Sequence, residues 1–141
     1  MHKLQMTKRL SDAIKTHIEA SAPYVAGGFL FGHGEDILDF APALNIVEGL
    51  PENFEFDEED FERASEVANK RDMDPIGLYS SCSSKIYELN DLFVNNLPVN
   101  SFLLVGITQN AELIDLELYY HTEQGVESSE ISIVEVQEAD Y

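Results

Sequence analysis

Among the residues able to do chemistry, Cys82 stands out, set in the run Ser80-Ser81-Cys82-Ser83-Ser84. A thiolate attacks acyl carbons once a base or a positive field lowers its pKa. His33 or His121, brought alongside by the fold, could be that base. The plainer alternative is a small apolar filler, because no oxyanion-hole or base motif accompanies the cysteine. A single cysteine also excludes an internal disulfide and a multi-cysteine zinc site. Histidine-based metal chemistry has little to start from. His2, His17, His33 and His121 are never within four residues of one another, so no short zinc-site spacing exists. Gly27-Gly28 fits neither the dinucleotide nor the Walker phosphate pattern and reads as close strand packing.

The charge balance narrows the partners. The 141 residues hold 8 Lys and Arg against 27 Asp and Glu, a net charge of −19. Such a field repels nucleic-acid backbones and anionic lipid. It suits a soluble protein, a salty cytoplasm or a basic protein partner, and charge alone does not choose among them. No apolar run approaches the ~18 residues of a membrane span. The basic start, with Lys3, Lys8 and Arg9, lacks the apolar stretch of a secretory signal. A cytoplasmic protein is the expectation. With 44% hydrophobic residues spread along the chain, a single domain covering 1–141 is expected.

The elements that must position these residues follow from periodicity. Leu10, Ala13, Ile14 and Ile18 predict a helix from Thr7 to Ala20, capped by Thr7 or Ser11 and ended by Pro23. Gly27–Gly32 reads as a buried strand, His33–Asp36 as a turn, Ile37–Ala41 as a second strand and Asn45–Val47 as a third. Seven acids between Glu52 and Glu62 mark a helix start, with Asp57 as cap and the carboxylates at the positive end of the dipole. Phe61, Ala64, Val67 and Ala68 are its expected buried stripe, ending near Arg71. Pro75–Tyr79 is a compact strand that the serines are expected to break. Ile86, Leu89, Phe93 and Leu97 predict a third helix, closed by Pro98. Ser101–Ile107 reads as a strand covered on both faces. Ile114, Leu116, Leu118 and Tyr120 alternate with Asp115, Glu117 and Tyr119, a strand with one wet face. Gly125 turns the chain into a last strand around Ile131 and Ile133.

Several segments together resemble the JAB/MPN (JAMM metalloprotease) family. Ala22–Gly32 looks like its Pro-x-Glu-x-Cys-Gly-Leu-Leu-x-Gly segment. Asn45 followed by Phe56–Phe61 looks like its Asn…Phe-x-x-Asp-Pro-x-x-Phe stretch. Pro75–Tyr79 looks like the strand delivering its metal loop, and Ser101–Ile107 like its later apolar strand. The match runs from Leu4 to Val136. The resemblance implies an α/β (α+β) domain, a central mixed sheet with about three flanking helices in cytidine-deaminase-like layering.

In that family two histidines (His-x-His) and an aspartate hold Zn²⁺, a glutamate is the general base, and a serine supports the oxyanion. Laid on this sequence, Ser80 and Cys82 fall at the histidines, Asn90 at the serine, Phe93 at the aspartate and Val25 at the base. Ser83 replaces the proline after the second histidine, and Asp91 is a carboxylate near the lost ligand. Valine and phenylalanine carry neither cation nor proton. The resemblance therefore implies a cleft without metal or cofactor, lined by Val25, Ser80, Ser81, Cys82, Ser83, Asn90 and Phe93. Its serines are either recognition hydroxyls or small neutral residues left where ligands were lost. The expected function is a non-catalytic protein-binding or scaffold module toward a ubiquitin-like or sulfur-carrier protein, another MPN-type subunit, or a second copy in a homodimer. The alternative is a hydrolase, isopeptidase- or peptidase-like, using Cys82 or an unrecognised metal site.

Overall fold

The computed structural model describes residues 3–21, 26–43, 58–82 and 100–135. Its elements are β1 (Lys3–Thr7), α1 (Lys8–Ser21), β2 (Gly27–His33), β3 (Asp36–Pro42), α2 (Glu58–Lys70), β4 (Asp74–Cys82), β5 (Phe102–Gln109), β6 (Glu112–Thr122) and β7 (Gly125–Val134).

The strands close into a mixed barrel in the order β1-β3-β2-β4-β5-β6-β7. This overturns the expected central sheet with about three flanking helices: the described residues hold seven strands and only two helices. The predicted third helix, Ile86 to Leu97, and the strand at Asn45–Val47 lie outside the described residues. Closure depends on β1, the short strand that precedes α1. Leu4 and Met6 are buried while Lys3 and Gln5 are exposed, the period of a strand with one covered face. β1 pairs in parallel with β7 from Lys3↔Glu130 to Thr7↔Val134. Its seam with β3 is narrow, with Gln5↔Asp36 in register and the Gln5 N–H donating to the Glu35 carbonyl at 2.8 Å.

The core has two parts because the sheet has two faces. On the inner face, Leu4, Met6, Leu30, Ile37, Tyr79, Leu104 and Leu118 come from six strands and surround Ile14 and Ile18 of α1. Thr7 caps α1, its Oγ1 accepting from the Leu10 N–H at 3.2 Å. Ala13, expected on the buried stripe, is exposed. On the outer face, Phe29, Phe31, Leu78, Leu103, Val105 and Ile107 meet Phe61, Ala64 and Ala68 of α2. Successive residues of β5 thus enter alternate clusters, as its uninterrupted apolar run requires. The first turn of α2 carries its acids as expected. Asp60 is buried and receives the Arg63 guanidinium at 2.5 Å. Val67, assigned to the stripe, is instead 53% exposed.

Two bulges correct the strand readings. Between β5 and β6, Ile107 faces Asp115 and Thr108 faces Leu113, leaving Ile114 as the extra residue, 52% exposed. Leu113 therefore packs inward in its place, and its N–H donates to Glu19 Oε2 at 2.8 Å. In β3, Leu38 is the extra residue between Asp39 and Ile37 and is likewise exposed. Beyond the bulge the edge of β3 away from β2, unpaired among the described residues, is blunted. The Phe40 N–H donates to Asp39 Oδ1 at 2.8 Å, and Pro42 has no N–H to offer.

Candidate functional site

The serine run does not break β4. Ser80 and Ser81 continue the strand between two ladders, with Ser80 opposite Gly27 in antiparallel β2 and beside Val105 in parallel β5. Serine is a modest strand former, but pairing on both edges overrides propensity. Ser80 is fully buried, and its Oγ donates to the Ser81 carbonyl at 3.3 Å. Ser81 clasps the residue after Val25: its N–H donates to the Ala26 carbonyl, and its Oγ accepts the Ala26 N–H, both at 2.8 Å. Each hydroxyl is thus spent inside the sheet. Ser80 and Ser81 therefore stand in the strand rather than in a loop.

Two residues before Ser81, the same strand face holds a polar pair that sequence reasoning missed. Tyr79 is fully buried, and its hydroxyl lies 2.8 Å from His17 Nδ1 on α1. The Tyr79 ring meets His17 and Phe40 edge-on at 5.8 and 5.7 Å. Burial pushes the phenol well above its ordinary range and pulls the imidazole below its own. Both groups are therefore neutral near pH 7. A phenol donating to Nδ1 leaves the imidazole proton on Nε2. Gly28 makes room for the ring, since a Cβ there would sit 2.7 Å from Tyr79 Cε1 and 2.2 Å from the Ala41 carbonyl oxygen. The separation of 62 positions between His17 and Tyr79 hides the pair from any motif; Gly27-Gly28 was its one visible trace.

Of the candidate cleft residues, Ser80 and Ser81 come together with Ala26 and Gly27, and Cys82 ends β4 level with Ile107. Val25, Ser83, Asn90 and Phe93 lie outside the described residues. The proposed bases for Cys82 are misplaced. His33 ends β2 six residues beyond Gly27, about 20 Å along the strand from the Ser80 level. There it lies 3.9 Å from Asp74. His121 sits beside Ser101, at the end of β5 opposite Ile107. Neither histidine reaches the cysteine's end of the barrel. Among the described residues no group of three or more His, Cys, Asp or Glu could hold a metal ion. The family's zinc would need an imidazole at the Ser80 position, where a neutral hydroxyl is bonded within the sheet instead.

A second feature lies on the outer face. Between α2 and β3 runs a groove of about 180 Å³ with an almost wholly apolar lining, Phe31, Phe40, Ala64, Val67, Ala68 and Met73 among it. Arg71 and Asp39 face each other across its rim at 3.6 Å.

No family model matches the sequence, and no curated protein matches it. Solved structures do resemble the fold. A protein from Desulfitobacterium hafniense superposes with a TM-score of 0.78 at 20% identity, over 96% of this chain and 95% of that one. A Salinibacter ruber protein gives 0.67 at 13% identity, over 93% and 92%. A JAB1/MPN domain protein from Archaeoglobus fulgidus gives 0.56 at 12% identity, over 94% of this chain and all of that one. At such identities the likeness is one of fold.

Proposed function

We propose that this chain is a non-catalytic, metal-free JAB/MPN-like module that binds a protein partner. The observation carrying this reading is the fate of Ser80. At the position resembling the first zinc histidine stands a fully buried hydroxyl bonded within its own strand. Catalysis of the family's type needs imidazoles there and room for a metal-bound water. The fold likeness to a JAB1/MPN domain protein supports the JAB/MPN-like part of the reading. The net charge of −19 favours a basic or neutral protein over nucleic acid. A ubiquitin-like protein or a second MPN-type domain is the partner class the resemblance suggests.

The test combines two measurements on the whole chain. Native mass spectrometry after dialysis against zinc is expected to give the metal-free mass. Titrating isotope-labelled protein with ubiquitin, and separately with a catalytically competent MPN domain, is expected to give saturable amide shifts with at least one. Stoichiometric zinc with cleavage of isopeptide-linked diubiquitin would overturn the reading. So would the absence of shifts with both probes.

A further inference from the structure

We infer that the groove between α2 and β3 is a docking site for a basic segment of a partner protein, which inserts one large apolar side chain. The inference rests on the protein-binding reading and deepens it by naming the surface and the chemistry of what it takes.

Small side chains create the groove. Ala64 and Ala68, one turn apart on α2, hold the helix backbone close but leave space above Phe31, Phe40 and Met73. Its size suits a single leucine, phenylalanine or methionine side chain. It falls short of the ~300–1,000 Å³ typical of cofactor and small-molecule sites. Val67 stands at its edge, 53% exposed, a β-branched residue that neither helix propensity nor burial explains.

Charge selects the occupant. A second copy would bring another −19 to the contact, and a nucleic acid would add phosphates; both are opposed by Coulomb repulsion. Acids stand at or beside the lining positions: Asp39 on β3, Glu66 next to Val67, and Asp72 and Asp74 on either side of Met73. The counterweights are Lys70 and Arg71, with His33 3.9 Å from Asp74, and Arg71 already faces Asp39. That rim pair is solvent-exposed, with side chains 66% and 42% accessible, so it is weak and open to exchange. An incoming lysine or arginine can take Asp39 while the apolar anchor fills the space beneath. The segment need not pair with the edge of β3, whose outward donors are removed by Asp39 and Pro42.

The experiment is a selection of random dodecapeptides, displayed against the whole chain, followed by fluorescence anisotropy of the enriched sequences. Enriched peptides are expected to carry one Leu, Ile, Phe or Met close to at least two Lys or Arg. Ala64→Phe, which fills the groove, should weaken them about tenfold or more. Val67→Asp should do the same from an exposed position where folding is not at stake. Thermal melts of both variants confirm that they are folded. Failure to enrich any peptide overturns the inference, as does enrichment of acidic ones or binding indifferent to both substitutions. If ubiquitin or an MPN domain still shifts amides elsewhere, the groove is refuted while the protein-binding reading stands.

Discussion

A histidine placed where the resemblance sets the first zinc ligand, Ser80→His, should damage the fold rather than build a site. Ser80 has no exposed surface; Gly27 and Val105 flank it in the neighbouring strands, and Leu78 and Phe29 lie one pleat further along the same face. An imidazole placed there must displace those neighbours, an overpacking cost of about 1–3 kcal/mol. It also buries a ring nitrogen with no partner waiting, for about 1–3 kcal/mol more. The sum, roughly 2–6 kcal/mol, translates into a melting temperature lower by roughly 6–18 °C for a domain of this size. Ser80→Ala is the control. It removes only a long 3.3 Å bond within the strand and should cost about 1 kcal/mol or less. Circular-dichroism melts with chelator, and again with excess zinc, measure both effects. A Ser80→His protein as stable as the parent, or one that zinc restabilises, would refute the assignment of this position to the core.

Three further outcomes follow from the same geometry. His17 has a depressed pKa in the fold, so the unfolded chain binds more protons than the folded one below its ordinary value of 6.5. Its contribution to stability is complete above about pH 6.5 and is lost as the pH falls toward its folded pKa, so urea unfolding at pH 7.5 and 5.5 should differ less in His17→Gln than in the parent. Ser81→Ala leaves the buried Ala26 N–H without its side-chain acceptor and should cost about 1–3 kcal/mol in chemical denaturation, with an unchanged cost counting against the clasp. Raising salt from about 0.02 to about 0.2 M should raise the melting temperature, because it screens the self-repulsion of a chain at −19; a falling temperature would mean that ion pairs dominate instead.

What the sequence disclosed, and what it withheld, divides along range. Both described helices and the strands β2 to β7 are encoded by local periodicity, and the Thr7 cap and the acidic first turn of α2 were visible residue by residue. The barrel was not, because its closing strand pairs with residues more than 120 positions away, and five residues with two buried ones give a faint pattern. Ile114 and Val67 were misassigned for a related reason. Alternation and helical spacing say which residues could share a face, but a bulge or a groove decides which of them the partner element covers. The serines illustrate the same limit: their low strand preference is real, and it is overruled by neighbours paired on both sides.

The site follows the same logic to a functional consequence. A ligand-bearing loop must leave the sheet so that its side chains converge on open space, whereas β4 stays in the sheet through Ser80 and Ser81 and spends their hydroxyls on its own strand and on Ala26. A larger polar side chain at either serine would need a partner that the sheet does not provide, and without one its burial costs more than a hydroxyl's. Small neutral residues are therefore what the sheet accommodates at Ser80 and Ser81. The neutral Tyr79–His17 pair ties α1 to β4. On the outer face, Asp39 and Arg71 stand on the rim of an apolar groove floored in part by Ala64 and Ala68, the surface on which the proposed recognition is to be tested.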